Sequence, residues 1–143
     1  MCSTKEGILL IKSKQLENGK NGEEIVGNIF QENGYWFHIF ASKIGGQPVD
    51  IIALKGDKHW LVDAKYLGKE KISFPFSRIE PNQLSCMNYA RNFSNIQNLG
   101  FVIISERFDL KAFYLSYDKL IELKGKGAKS VNLNDLKGFV EYL

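Results

Sequence analysis

Asp50, Asp63 and Lys65 are the residues whose types and spacing point most directly to chemistry. If Gly56 and Asp57 form the turn of a hairpin, the strand register places Asp50 directly opposite Asp63. Lys65 follows Asp63 by two residues and therefore projects from the same face. Opposite carboxylates on buried strands repel each other unless they are protonated, paired with a cation or bound to a metal ion. The cluster therefore predicts a site for a divalent cation with oxygen ligands.

The strands that carry this cluster are predicted from two apolar stretches. Val49 to Leu54 and His59 to Leu67 are rich in β-branched and aromatic residues, and Lys55-Gly56-Asp57-Lys58 between them is typical of a hairpin turn. The alternative is an edge hairpin whose carboxylates reach solvent, with Lys65 in a surface ion pair worth at most ~1 kcal/mol. The joint placement of the three side chains favours the metal site.

A predicted helix adds a third carboxylate to the candidate site. Four apolar residues recur at helical spacing between Gly22 and Asn33: Ile25, Val26, Ile29 and Phe30. At about 100° per residue, Glu23 lies at the border of this apolar stripe, whereas Glu24 lies nearly opposite its centre and faces water. Glu23 is thus the acid that can face the site. The alternative for Glu23 is a first-turn acid that complements the helix dipole, and this is the preferred interpretation of Glu24.

The remaining elements complete a single α/β domain with a central mixed sheet flanked by helices. A run at Ile8 to Ile11 is either a short strand or part of an arm, and Pro81 opens a second helix that ends before Gly100. The other predicted elements are strands at Tyr35 to Phe40, Phe101 to Ser105 and Ala112 to Ser116, a short helix capped by Asp118 that ends at Leu123, and a final helix capped by Asn132 or Asn134 that ends at Tyr142.

Composition limits the class of protein without specifying its function. The 143 residues are 44% hydrophobic and 24% charged, which predicts one folded domain. Two cysteines without a Cys-x-x-Cys spacing predict no disulfide framework, and a cytoplasmic location is expected. The apolar runs are far shorter than the ~18 residues of a membrane span, and no secretion signal is expected. A net charge of +3 is compatible with a nucleic-acid partner.

Three short motifs resemble the PD-(D/E)xK nuclease fold. They are Gly19-x-x-x-Glu23, Pro48-Val49-Asp50 and Asp63-Ala64-Lys65, and the predicted α-β-β-β-α-β order is also the core of that fold. Val-Asp-Ile-Ile-Ala and Leu-Val-Asp-Ala-Lys are similar to segments of archaeal Holliday-junction resolvases. Ser73-Phe74-Pro75-Phe76 followed by Glu80-x-x-Gln83 is similar to bacterial RecU-type resolvases.

The resemblance implies a catalytic set made of Glu23, Asp50, Asp63 and Lys65. Asp50 and Asp63, with Glu23 and the Ala64 carbonyl, would hold Mg²⁺, with Mn²⁺ as a substitute. Lys65 would orient and help deprotonate the attacking water, and the metal would activate that water and polarise the scissile phosphate.

Several residues near this set are candidates for contacts with DNA phosphates. Four cations and one acid lie between Lys65 and Arg78, and further lysines lie before Glu23. The candidates are Lys20, Lys69, Lys71, Arg78 and Gln83; an ordinary solvated surface is the alternative. Phe74 and Phe76 either contact bases or belong to the core, and the latter is the commoner role. His38 and His59 have no partner at ligand spacing and are interpreted as structural, whereas Trp36, Phe37 and Trp60 are expected to pack against the sheet.

These observations predict a Mg²⁺-dependent DNA endonuclease, most specifically a homodimeric Holliday-junction resolvase of recombination and repair. A restriction-type or repair nuclease acting on another DNA structure is one alternative, and a non-catalytic DNA-binding module that retains the fold is another. Residues 1–18 are expected to form an arm, 19–106 the core and 107–143 a C-terminal extension of one nuclease domain.

Overall fold

The computed structural model describes residues 22–40, 49–93, 96 and 98–143. The predicted arm and Lys20 lie outside these residues. The described helices are α1 (Gly22–Glu32), α2 (Pro81–Phe93) and α3 (Tyr117–Gly125). The strands are β1 (Trp36–Ile39), β2 (Ile51–Lys55), β3 (Lys58–Leu67), β4 (Ser73–Pro75), β5 (Asn98–Ser105), β6 (Lys111–Ser116) and β7 (Ser130–Asn132), and single 3₁₀ turns occur at Phe76–Arg78, Leu133–Asp135 and Phe139–Tyr142.

Five of the strands form one mixed sheet in the order β1-β2-β3-β5-β6. The β3–β5 pair is parallel and the other neighbouring pairs are antiparallel. The chain returns from β3 to β5 through β4 and α2, because parallel strands require a crossover connection. β4 and β7 form a separate antiparallel pair. The prediction of an α/β domain with a central mixed sheet is confirmed.

Helix α1 covers one face of the sheet. Its apolar stripe buries Ile25, Val26 and Phe30 in a cluster that also contains Val62 and Trp60. The helix ends where Gly34 adopts a φ of +84°, a conformation that glycine adopts without steric cost. The residues that α1 buries against the sheet are therefore those of the periodic apolar pattern from which the helix was predicted.

On the opposite face of the sheet, α2, α3 and the β4–β7 pair cover the part formed by β3, β5 and β6. Met87 of α2 and Leu120 of α3 are fully buried in a cluster with Phe101 of β5. Phe74 and Phe76 belong to the same cluster, at 0% and 6% exposure, so the core role that was preferred for them is confirmed over the alternative of base contacts. None of the helices in the described ranges is long and apolar enough to span a membrane.

The predicted final helix is wrong, because the backbone of this segment bonds to β6 instead. The Tyr114 amide donates to the Lys137 carbonyl at 3.2 Å, and Gly138 forms an isolated bridge with Phe113. These bonds hold the chain in an extended path, from which Phe139 enters the core with 0% exposure. Only two single turns of 3₁₀ helix remain in this segment.

The predicted helix caps are partly wrong. Asn132 accepts a hydrogen bond from the Asn134 amide at 2.8 Å, but it caps only a three-residue turn. The cap of α3 is Ser116, whose Oγ accepts an amide hydrogen bond at 3.0 Å, and not Asp118. Asp118 forms an ion pair with Arg91 of α2 at 3.1 Å instead.

The expectation for the aromatic residues of the sheet holds for two of the three. Trp60 is 1% exposed, and the Phe37 ring packs against α1 at Gly27. Trp36, however, is 60% exposed, because it projects from the edge strand β1 on the face opposite to α1. The prediction that Trp36 packs against the sheet is wrong.

Among the glycines that the structure describes, Gly100 makes the closest approach to the backbone of another strand. A Cβ at Gly100 would overlap the carbonyl oxygen of Leu115 and lie 2.8 Å from the Cα of Ser116. Both atoms belong to the backbone of β6, which cannot move without breaking its pairing with β5. We expect Gly100→Ala to lower the free energy of unfolding by about 1–3 kcal/mol, as overpacking does elsewhere, in urea denaturation. Gly125→Ala, which meets nothing within 4 Å, is the matched control; equal stability of the two variants would contradict the expectation.

Candidate functional site

The β2–β3 hairpin has the register that the sequence predicts. Lys55 pairs with Lys58 around the turn, where Gly56 adopts a φ of +61°, and Ile51 pairs with Val62 at the far end of β2. The next position in this register would bring Asp50 beside Asp63. The predicted register of β2 and β3 is therefore confirmed, and the direct facing of Asp50 and Asp63, one position beyond the last pair, stays a prediction.

Asp63 is buried in the middle of the sheet and is paired with a lysine. Its exposure is 2%, and Lys65 Nζ lies 3.1 Å from its Oδ2. On the other side, Asp63 is the register partner of Phe101 in β5. The lysine side chain retains 18% exposure, so its ammonium group reaches from the buried carboxylate towards solvent.

Asp50 lies immediately before β2 and is 8% exposed. Its carbonyl oxygen accepts a hydrogen bond from the Phe40 amide at 2.8 Å, which extends the pairing between the β1 and β2 segments by one step. Asp50, Asp63 and Lys65 together carry a net formal charge of −1 in a largely buried region.

Helix α1 begins close to the strand that carries this pair. A Cβ at Gly22 would lie 3.4 Å from Ile104 Cδ1 and 3.8 Å from the Ala64 Cβ, so the helix start packs over Ala64. Glu23 is half-buried at this helix start, and Glu24 is exposed, as the helical periodicity predicts. Across the described ranges, no three His, Cys, Asp or Glu side chains lie close enough together to hold a metal ion. Helix α1 packs on the face of β3 that carries Ala64, whereas Asp63 and Lys65 alternate to the other face, so the described structure does not bring Glu23 into one cluster with the aspartates. The ligand set of Asp50, Asp63, Ala64 and Glu23 stays a prediction.

Three of the candidate DNA-contact residues, Lys69, Lys71 and Arg78, lie near the C-terminal end of β3. Lys69 and Lys71 are exposed in the turn after this strand, and Arg78 Nη1 donates to the carbonyl of Tyr66, next to Lys65. Partial burial lowers the pKa of the Arg78 guanidinium, whose carbon lies 5.5 Å from the centre of the Phe74 ring. Gln83 is half-buried in the first turn of α2.

Tyr66 helps to fix the end of β3. Its hydroxyl donates to Glu106 Oε2 at 2.6 Å, and burial together with this carboxylate raises the pKa of the phenol. The tyrosine therefore stays a hydrogen-bond donor through the neutral range. The Glu106 amide also donates to the Leu67 carbonyl at 3.0 Å. Glu106 therefore ties the end of β3 to the chain that follows β5 through both its side chain and its backbone.

The sequence interpretation missed three exposed side chains that follow one another along β1, on the same sheet face as Asp63. Trp36 and His38 alternate along β1 and are both exposed, and Phe40 follows them with 37% exposure. The signal was the aromatic alternation Trp-x-His-x-Phe, which predicts a strand but does not say whether its aromatic side is covered.

A comparison of the chain with protein-family models gives no match, and a comparison with curated proteins gives none. The site is therefore interpreted from its own residues.

The buried ion pair provides a test of the site's electrostatics. Lys65→Met removes the cation from a carboxylate that has almost no access to water and lies beside a second aspartate. We expect this change to lower the free energy of unfolding by about 2–3 kcal/mol in metal-free buffer. The double variant Asp63→Asn/Lys65→Met should recover most of that loss, because it also removes the buried charge. Chemical denaturation of the wild type and both variants measures the difference.

The control for this test is Lys126→Met, which breaks the fully solvated pair with Glu122 and should leave stability unchanged. If Lys65→Met and the double variant lost the same stability, the cost would come from packing of the lysine stem and not from the carboxylate.

Proposed function

We propose that this protein is a Mg²⁺-dependent DNA endonuclease that acts on branched DNA, with the four-way junction as its substrate. The observation that carries the proposal is the Asp63–Lys65 contact of 3.1 Å on a buried strand, with Asp50 in the next register position. An Asp-x-Lys pair that faces a second aspartate is the arrangement that the resemblance to PD-(D/E)xK nucleases implies. The helices and main-sheet strands follow the order α1, β1, β2, β3, α2, β5, with the short β4 of the separate pair between β3 and α2, and this order supports the same proposal.

The residues present fit a divalent ion in their chemistry. Asp50 and Asp63 supply hard carboxylate oxygens, which are the ligands that Mg²⁺ takes in proteins. Glu23 and the Ala64 carbonyl are the further ligands in this proposal. A Mg²⁺ ion held there would lower the pKa of a bound water and polarise the scissile phosphate.

Lys65 has a distinct role in the proposed reaction. Its ammonium group is anchored by Asp63 and yet partly open to solvent, so it can hold a water molecule in line with a phosphate and assist loss of the water proton. Its positive charge also stabilises the negative charge that develops on the phosphate oxygens. Replacement of the lysine should therefore affect the chemical step more than DNA binding.

The basic residues at the C-terminal end of β3 supply the proposed phosphate contacts. Lys69 and Lys71 are exposed, and Arg78 is anchored to the strand by the Tyr66 carbonyl. Lys20 and Gln83 complete the proposed contact set. A four-way junction has two equivalent scissile phosphates, so the proposal includes a two-fold dimer that presents two sites.

Cleavage of a synthetic four-way junction, measured beside a duplex of matched sequence with and without Mg²⁺, tests the proposal. We expect Asp50→Asn, Asp63→Asn and Lys65→Ala each to lower the cleavage rate at least ~100-fold, because each removes a ligand or the group that orients water. Glu24→Gln is the matched control, since Glu24 is exposed one residue from Glu23, and its rate should equal that of the wild type.

Full activity in any of the three site variants would contradict the assignment. Cleavage of linear duplex as fast as of the junction, by a protein that sediments as a monomer, would support a nuclease of another substrate class. Junction binding without any cleavage would support a non-catalytic DNA-binding module.

Metal binding itself has a readout that is independent of activity. Mg²⁺ or Mn²⁺ should raise the thermal midpoint of unfolding, because an ion that binds only the native state stabilises it by mass action. At 100 times the dissociation constant this stabilisation is about 2.7 kcal/mol. Asp50→Asn should abolish most of the rise, whereas Glu24→Gln should retain it; differential scanning fluorimetry measures both.

A midpoint that does not respond to any divalent ion would contradict the metal site. Ca²⁺ should also raise the midpoint but support little cleavage, because its looser coordination positions water and phosphate poorly.

A further inference from the structure

The sheet face that carries Asp63 continues into a surface of exposed aromatic side chains. Trp36 of β1 pairs with Leu54 of β2, which pairs with His59 of β3, so the three residues form one row across the sheet. All three are exposed, with Trp36 at 60% and Leu54 at 37%. An exposed indole in a row with a leucine is unusual for a surface that contacts only water.

The next row brings this surface closer to the two aspartates. His38 pairs with Ile52, and Ile52 pairs with Leu61 of β3. One step further, the Phe40 amide donates to the Asp50 carbonyl, so Phe40 stands beside Asp50 as His38 stands beside Ile52. We name the side chains of Trp36, His38 and Phe40 the aromatic ridge; it runs along β1 for about 13 Å and ends at Asp50.

Two of the three rings of the ridge are nearly parallel, and the third is nearly perpendicular to them. The Trp36 and His38 rings are nearly parallel, with an interplanar angle of 10° and 6.4 Å between their centroids. The Phe40 ring lies edge-on to His38 at 5.1 Å. Exposed rings of this kind bind successive nucleobases without regard to sequence, because every base has a π face.

The distribution of charge favours a nucleic acid as the occupant. The two outer rows contain no acidic side chain; their members are Trp36, Leu54, His59, His38, Ile52 and Leu61. Along β3, the same face continues past Asp63 to Lys65, and the exposed Lys69, Glu70 and Lys71 follow the strand with a net formal charge of +1. Aromatic groups thus lie on one side of the proposed site and cations lie on the other.

We infer that the aromatic ridge stacks the unpaired bases of a DNA strand whose phosphate lies at Asp50 and Asp63. The inference rests on the proposed nuclease activity and assigns to it branched DNA that carries unpaired nucleotides at the branch point, which the base-paired arms of a four-way junction do not themselves provide. The lysines then neutralise phosphates on one side of the cut, and the ridge holds bases on the other. A continuous duplex keeps its bases paired and cannot present them to the ridge.

Tryptophan fluorescence tests the inference without any cleavage, because the two tryptophans of the chain are Trp36, largely exposed, and Trp60, 1% exposed. In buffer with EDTA, a 20-nucleotide oligothymidylate should quench the emission of Trp36, whereas a duplex of the same length should quench it little. Trp60 remains in every ridge variant and reports whether that variant is folded.

Variants are compared by the fluorescence anisotropy of a labelled oligothymidylate. Trp36→Ala should weaken its binding about tenfold and weaken duplex binding less than twofold, and Trp36→Phe should restore most of the loss because it retains a ring. Tyr89→Ala, which removes an aromatic residue of α2 that is 67% exposed, is the matched control and should bind as the wild type does.

Unchanged oligothymidylate affinity in Trp36→Ala would overturn the inference. A dimer that dissociates in Trp36→Ala with unchanged DNA affinity would also overturn it and assign the ridge to a second copy of this chain. The proposed function can fail independently of the inference. If the wild type binds oligothymidylate through Trp36 but cleaves no DNA, the base-binding role of the aromatic ridge is supported and the nuclease activity is contradicted. If cleavage depends on Asp63 but neither binding nor cleavage depends on Trp36, the nuclease activity is supported and the base-binding role of the ridge is contradicted.

Discussion

The register of the β2–β3 hairpin is the constraint on which the rest of the structure depends. The two-residue turn at Gly56 and Asp57 sets which side chains of the two strands share a face. A shift of one residue in β3 would move its whole set of buried side chains to the other face. The register also passes outward, since β2 aligns β1 on one side and β3 aligns β5 on the other. One tight turn thus determines the surroundings of both aspartates.

Local patterns in the sequence were sufficient where an element is defined by its own residues. Helix α1 and the β2–β3 hairpin were predicted because their apolar spacing and turn residues act over a few positions. The β4–β7 pair joins segments that are more than fifty residues apart in the sequence. A local sequence pattern does not predict such a pairing. The final helix was predicted from a cap and a few apolar residues, but hydrogen bonds to β6 outcompete helical ones there.

In the candidate site, too, contacts within one element could be predicted from the sequence, whereas contacts between distant elements could not. Asp63 and Lys65 are two residues apart on one strand, so their contact follows from strand geometry alone. The surroundings of Glu23 depend on where α1 lies across the sheet, which periodicity does not specify. Alternation predicted that Trp36 and Trp60 belong to strands, but the burial of Trp60 and the exposure of Trp36 depend on which neighbours cover each face.

Phe139 has a consequence for the order in which the chain can fold during its synthesis. This ring is fully buried and packs edge-on against Phe30 and Trp60, at centroid distances of 5.1 Å and 5.3 Å. The α1 side of the core therefore remains open at the ribosome until residue 139 has left the exit tunnel. Nascent chains that end before this residue would expose an aromatic cavity to solvent, and chaperones that bind apolar surfaces would find it there.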